Sequence, residues 1–252
     1  GYSAIADEWI GITPGGDGLF VLSLCRELLL SGKVDVPWLA AFTNAAQLVI
    51  EAPGSAEHGL IARDAEGRPL VWDRQADAPA AFAASDRAPA LKGSFTLPDG
   101  RQVRPAFELV AERILSEAHA PEAVEARPGV RAATIRRIAA ELVAAAFDES
   151  QSIAQPWTDA WGREQAGFSS RPVAVHAMRG ISAHANGFHT CRDLHILQML
   201  LGAVDRPGSW RYKPPFPRPC PPPVRPAGKP GQVEAGKVLP GPPLGFPVAP
   251  GE

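Results

Sequence analysis

HAMRGISAHANGFHTCRDLHILQMLLGAVDRPGSW, residues 176–210, is the stretch whose reading decides the fold. An apolar run over residues 173–178 leads into it, as a buried strand would. The run breaks at Arg179 and Gly180 and passes through a polar loop over 181–187. From about Phe188 the apolar residues return at helical spacing, at Leu194, Leu197, Leu200 and Leu201. Gly202 stands where a helix C-cap glycine belongs, and Pro207 with Gly208 stops any continuation. Strand, glycine-containing loop and helix form the unit with which α/β folds offer backbone N–H groups to a phosphorylated ligand. The same residues read equally well as a packing unit whose loop is polar.

Upstream, residues 150–170 read as a polar loop that Trp157 and Trp161 pack down. Residues 105–149 read as helical. Phe107, Leu109, Val110 and Ile114 share one face, and Ile135, Ile138, Ala139, Leu142 and Val143 form another. Arg136 and Arg137 fall on the opposite, solvated side, although either could touch a phosphate. Residues 53–104 form an excursion from this α/β core. Two pieces, GLIARDAEGRPLVWD and GSFTLPDGRQVRP, each pair an apolar run with a glycine turn, as hairpins do. Residues 78–90 between them are rich in Ala, Pro and Asp and read as a mobile loop.

At the start, Ile5, Trp9, Ile10 and Ile12 precede the turn Thr13-Pro14-Gly15-Gly16-Asp17-Gly18. Asp17 stands ahead of an apolar helical run that ends near Gly32, so its plain role is N-cap. Asp35, Val36 and Pro37 lead into a shorter helix over 38–44. At the other end, residues 207–252 are rich in proline and too poor in periodic apolar residues to make a core. They read as an extended, polyproline-like strap.

The chain has 252 residues and 27 prolines, with a formal net charge of -2, which argues against general nucleic-acid binding. No apolar run approaches the roughly 20 residues that span a bilayer. Three cysteines, Cys25, Cys191 and Cys220, are too few and too scattered for a disulfide framework or a Cys-x-x-Cys metal site. The absence of an initiator Met and of a signal segment reads as the interior of a longer protein. His184, His189, Cys191 and His195 have spacing that zinc can use, but His189, Cys191 and His195 do not share a helical face. No nucleophile elbow frames Cys191, and the GGDG at 15–18 lacks the Gly-Lys-Ser/Thr of a phosphate loop. From the residues alone, the reading is a ligand-binding α/β fragment.

Three motifs in order then resemble the catalytic subunits of the dimethyl-sulfoxide-reductase family. They are ADEWIGITPGGDGLFVLSLCRELL, then GV-x4-IRRIAAELV, then the stretch quoted first. Pro14-Gly15-Gly16-Asp17 departs from that family's Pro-Gly-Thr-Asp at its third position. Leu197 to Gly208 follows its Leu-x-x-Leu-x-Gly-x-x-Gly-x-Pro-Gly, with Asp205 replacing a glycine. The MRGISAHANGFHTCR wording and the proline-rich strap are most similar to the sulfite dehydrogenase (quinone) branch, beside thiosulfate and polysulfide reductases, with formate dehydrogenase more distant.

That resemblance implies a Rossmann-like three-layer α/β domain over residues 1–206, as an internal fragment of a larger multidomain enzyme. It implies molybdenum or tungsten held by two molybdopterin guanine dinucleotides, and two-electron chemistry on a sulfur oxyanion. Asp17 would accept from guanine N–H groups, with Pro14, Gly15 and Gly16 beside the nucleotide. Gly180 and Asn186 would face the pterin, and Arg179 with His184 would meet the oxyanion. A 4Fe–4S cluster, the metal's protein ligand and a closing barrel would belong to parts outside this chain, which alone would not turn over substrate. The implied partners are a membrane anchor and an iron–sulfur electron-transfer subunit, at the cytoplasmic face of the inner membrane. A non-catalytic α/β module with a partner-binding proline tail and a small zinc enzyme using His184, His189 and Cys191 remain as alternatives.

Overall fold

The computed structural model describes residues 4–82, 88–159 and 162–210. The fold is organised around helix α1 (Asp17–Ser31), which buries Val21, Leu24, Cys25 and Leu28 on one face and packs Leu19, Phe20 and Leu22 against the core from others. A helix apolar on several sides belongs inside a helical layer. Accordingly α1 packs against α3 (Ala106–Ile114), α4 (Pro121–Val124), α5 (Ala132–Val143) and α6 (Gly187–Leu200). Ile114, Ile135, Ala139, Leu197, Leu200 and Leu201 complete this core. A short helix α2 (Val36–Phe42) follows α1, capped by Asp35, whose Oδ1 accepts from the Trp38 backbone N–H at 3.1 Å.

The excursion is a small antiparallel module. Strand β1 (Leu48–Ile50) pairs with β5 (Gln102–Pro105), which pairs in turn with β4 (Phe95–Thr96). Strand β2 (Leu70–Asp73) pairs with β3 (Ala78–Ala81). Its own core is Leu48, Ile50, Ala62, Leu97 and Val103, flanked by Trp72 stacked on Phe95 at 4.4 Å. The 93–105 hairpin thus forms as its Asp99, Gly100 turn implies. Residues 78–81, expected to be a mobile loop, are instead a strand, because Ala80 and Ala81 pair opposite Val71 and Leu70.

Two further expectations are corrected. Residues 150–170 are not an irregular loop but two minimal ladders. Strand β6 (Ser152–Ile153) pairs with β9 (Phe168–Ser169), and β7 (Trp157–Thr158) pairs with β8 (Glu164–Gln165). Trp157 packs edge-on against Phe168, while Trp161 and the strap from residue 211 on lie outside the described residues. Residues 173–178 form no strand. Only Val173 is buried there and no strand among the described residues offers a ladder, so the run takes no regular form and leads into a 3-10 turn at Arg179–Ser182. The chain mixes helices and strands as an α/β chain does. Every strand pair among the described residues is antiparallel, so none supplies the parallel sheet of a Rossmann-like arrangement. Among the described residues no helix is long and apolar enough to cross a membrane.

Candidate functional site

Helices α1 and α6 lie side by side and point the same way. At their starts Asn186 Nδ2 donates to the Gly15 carbonyl at 3.3 Å, and at their ends the Asp35 N–H donates to the Leu200 carbonyl at 3.2 Å. Both N-termini therefore open on one edge, where unpaired N–H groups and two helix dipoles favour negative charge. Gly15 turns the chain there with φ of 80°, and space is open where a Cβ would stand. The N-cap of α1 is Gly16, which corrects the expectation that Asp17 caps it. Asp17 is the first helical residue, half-buried, and its carboxylate has no hydrogen-bond or ion-pair partner among the described residues. A carboxylate with two free acceptor oxygens suits a ligand that presents paired N–H donors.

The far ends of the two helices are closed by a buried charge cluster. Asp35 Oδ2 takes Arg171 Nη2 and Arg206 Nη1, each at 2.7 Å, and all three side chains are at most one-fifth exposed. Gly202 follows α6 with φ of 63°, and a Cβ there would stand 2.7 Å from Asp35 Oδ2. The C-cap of α6 is Leu201, one residue before the glycine the sequence implies, and Gly202 follows it in the left-handed conformation as the floor under this cluster.

A cleft of about 300 Å³ lies between α6 and residues 175–181. Arg179, Cys191, His195 and Gln198 supply its polar lining. Gln198, on the buried side of α6, was not singled out from the sequence. A polar residue inside the apolar run Leu197 to Leu201 is the signal that marks it. Deeper in the layer, burial and then the nearby Asp193 push the Cys25 thiol far above its ordinary range. Burial likewise raises the Asp193 carboxyl.

The structure brings some expected site residues together and not others. Gly15, Gly16, Asp17 and Asn186 share the helix-start edge, with Pro14 exposed beside them. Arg179 lines the cleft, whereas Gly180 and His184 are exposed and do not line it. Arg136 joins Glu122 and Glu27, and Arg137 joins Glu141 and Glu8, so both serve a solvated ion-paired face. Among the described residues no three His, Cys, Asp or Glu side chains gather as a metal would require, so the His184, His189, Cys191, His195 spacing builds no such centre.

No protein-family model matches the chain. The chain is similar to a sulfite dehydrogenase subunit of Allochromatium vinosum, 43% identical over 260 residues. That likeness takes in 99% of this chain and 27% of the relative, so the chain spans about a quarter of the length of the curated relative it matches. The assignment to the dimethyl-sulfoxide-reductase family is corrected accordingly. The likeness that runs the length of the chain is to a larger protein, one of the subunits of a sulfite dehydrogenase. The short motifs that suggested the broader family consist largely of turn, cap and helix-stop residues, which local backbone geometry demands in many folds.

Proposed function

We propose that this chain is a segment of the catalytic subunit of an oxidoreductase that oxidises sulfite or a related sulfur oxyanion. The observation that carries this reading is the 43% identity, along 99% of the chain, to a sulfite dehydrogenase subunit. Oxidation of sulfite to sulfate adds one water oxygen and releases two electrons and protons, so a redox group is required. The group we propose is molybdenum held by two molybdopterin guanine dinucleotides. When bound, it supplies a metal that accepts the electron pair.

The residues present fit such a group. Asp17 offers both carboxylate oxygens to the guanine N1–H and exocyclic amine. Pro14 and Gly15 let a nucleotide approach the backbone, Gly16 lets the turn pack against Pro128, and the paired helix starts favour the phosphates. Gly180 and Asn186 stand toward the pterin in this reading. Arg179 and His184 orient the oxyanion, the guanidinium by a two-pronged contact and the imidazole by one hydrogen bond. A Rossmann-like parallel sheet would then come from chain outside residues 4–210, and these helices would form one of its layers. Electrons would leave through a 4Fe–4S cluster and an iron–sulfur subunit to a quinone-linked membrane anchor, at the cytoplasmic face of the inner membrane.

The test uses the intact protein. Asp17→Ala should lower the guanine nucleotide recovered per polypeptide while the protein stays folded. Arg179→Ala should raise the KM for sulfite by about tenfold or more, as expected for loss of a charge-assisted contact. Undiminished nucleotide content in the first variant would remove Asp17 from the site. Absence of sulfite oxidation in the unmodified protein would end the reading altogether.

A further inference from the structure

The buried cluster at the far ends of α1 and α6 is not balanced in charge. The guanidinium groups of Arg171 and Arg206 share the single carboxylate of Asp35, and both reach the same oxygen, Oδ2. Neither arginine pairs with another acidic side chain among the described residues. Two cations against one anion leave one positive charge in excess, where no side chain of the three is more than one-fifth exposed. Like charges so poorly hydrated repel strongly. Burial pulls the Arg206 guanidinium below its ordinary range, with Asp35 opposing and Arg171 adding to the shift.

The helix ends offset part of the excess, since a C-terminus carries partial negative charge. Their last carbonyls are already taken, however. Those of Leu197, Gln198, Met199 and Leu200 accept from the backbone N–H groups of Leu201, Ala203, Gly202 and Asp35, and that of Leu29 accepts from Gly32. Neither guanidinium donates to them. Arg171 donates instead to Asp35, Ser150 Oγ and the Ser170 carbonyl.

The two arginines differ in what they have left to offer. The unpartnered Nε of Arg171 is sealed from solvent. Arg206 donates through Nη1 alone, at 2.7 Å to Asp35. Its Nε and Nη2 have no partner among the described residues, and neither is among the fully covered polar atoms. These two N–H groups lie along one edge of the guanidinium, the edge that takes two oxygens of an anion at once. The backbone beside it is pinned. The Arg206 N–H donates to Ser209 Oγ at 2.9 Å, and the Ser209 N–H donates to the Arg206 carbonyl at 3.0 Å.

We propose that this cluster is an anion site, in which a small oxyanion of the size of sulfate sets two oxygens on Arg206 Nε and Nη2 and neutralises the charge that Asp35 leaves over. The site stands at the opposite ends of α1 and α6 from the Asp17 edge. It rests on the cluster alone and not on the redox reading above.

Sulfate is the probe, titrated into the intact protein by calorimetry at an ionic strength held constant with sodium chloride, so that screening stays the same. One saturable site should weaken by about tenfold or more in Arg206→Lys, which keeps the charge and loses the two-pronged edge. Arg179→Gln alters the oxyanion contact of the proposed function and should leave that site unchanged, which separates the two. Selenate diffused into crystals of the unmodified protein locates the site without any variant, since its anomalous signal should lie against the free edge of Arg206. Equal sulfate binding by Arg206→Lys and the unmodified protein overturns the proposal, as does selenate found only elsewhere. So does the absence of a saturable site, the result expected if a carboxylate from elsewhere in the subunit already holds that edge. Sulfite oxidation is measured separately and is not touched by these outcomes.

Discussion

The antiparallel excursion and the α1–α6 layer treat their polar groups in opposite ways. In the excursion, charged side chains find partners close at hand. Arg68 pairs with Asp64 and Glu66, Arg101 with Asp99, and Arg104 with Glu51, Glu108 and Glu112. The bond from Arg101 holds the Asp99 carboxyl below the usual carboxylate range. Along the helical layer, by contrast, Asp17 at the helix starts and the buried Gln198 Oε1 are left without partners among the described residues. A module whose charges are mutually satisfied is built to hold its shape. Buried or half-buried groups left over on a rigid frame are what a ligand can use.

The largest test of this contrast lies where the helical layer does satisfy a buried charge. Asp35→Ala leaves Arg171 and Arg206 sharing a buried site with no anion. It should lower unfolding free energy by about 3–5 kcal/mol, measured by urea denaturation. A loss below about 1 kcal/mol would mean that the cluster is solvated and does not tie the helix ends together. Leu28→Ala, at a position 1% exposed in the centre of the layer, should cost about 2–5 kcal/mol in the same measurement.

Val103→Ala, fully buried in the excursion's own small core, should cost about 1–3 kcal/mol. Hydrogen exchange separates the two regions. Faster exchange confined to β1, β4 and β5 identifies the excursion as its own cooperative unit, and equal acceleration in α1 and α6 would merge it with the layer.

The smallest effect belongs to the surface. Arg136 holds the Glu122 carboxyl down to about 2 from an ordinary 4.5. Because the folded value lies below the unfolded one, the pair's contribution is complete above about pH 4.5 and disappears as pH falls toward 2. The melting temperature of Glu122→Gln should therefore sit slightly below that of the unmodified protein at pH 7, and the gap should close by pH 2. A gap that stays constant across this range would exclude the ion pair as its source.

Much of the helical frame is legible in the residues. The run from Leu19 to Leu30 announces α1, the spacing of Leu194 to Leu201 announces α6, and Ile135, Ala139 and Val143 place the buried side of α5. The Asp99, Gly100 turn likewise announces the β4–β5 hairpin. The strand expected at 173–178 fails for a tertiary reason, since an apolar run becomes a strand only where a neighbour offers a ladder. The site divides in the same way. Gly15, Gly16 and Asp17 stand out as a turn before a helix, but the Asn186 contact that sets that turn beside the start of α6 spans 171 positions.

By itself the sequence determined which segments coil, where they stop and which helical faces are apolar, because periodicity, caps and turn residues act within a few positions of one another. The tertiary structure alone decided that α1 and α6 run parallel, so that their starts share one edge. It decided that Asp35 closes a buried cluster with Arg171 and Arg206 from far along the chain, and that Gln198 is buried with its acceptor unmet among the described residues. Charge pairing and hydrogen-bond satisfaction depend on distance in space, and no local pattern encodes that distance.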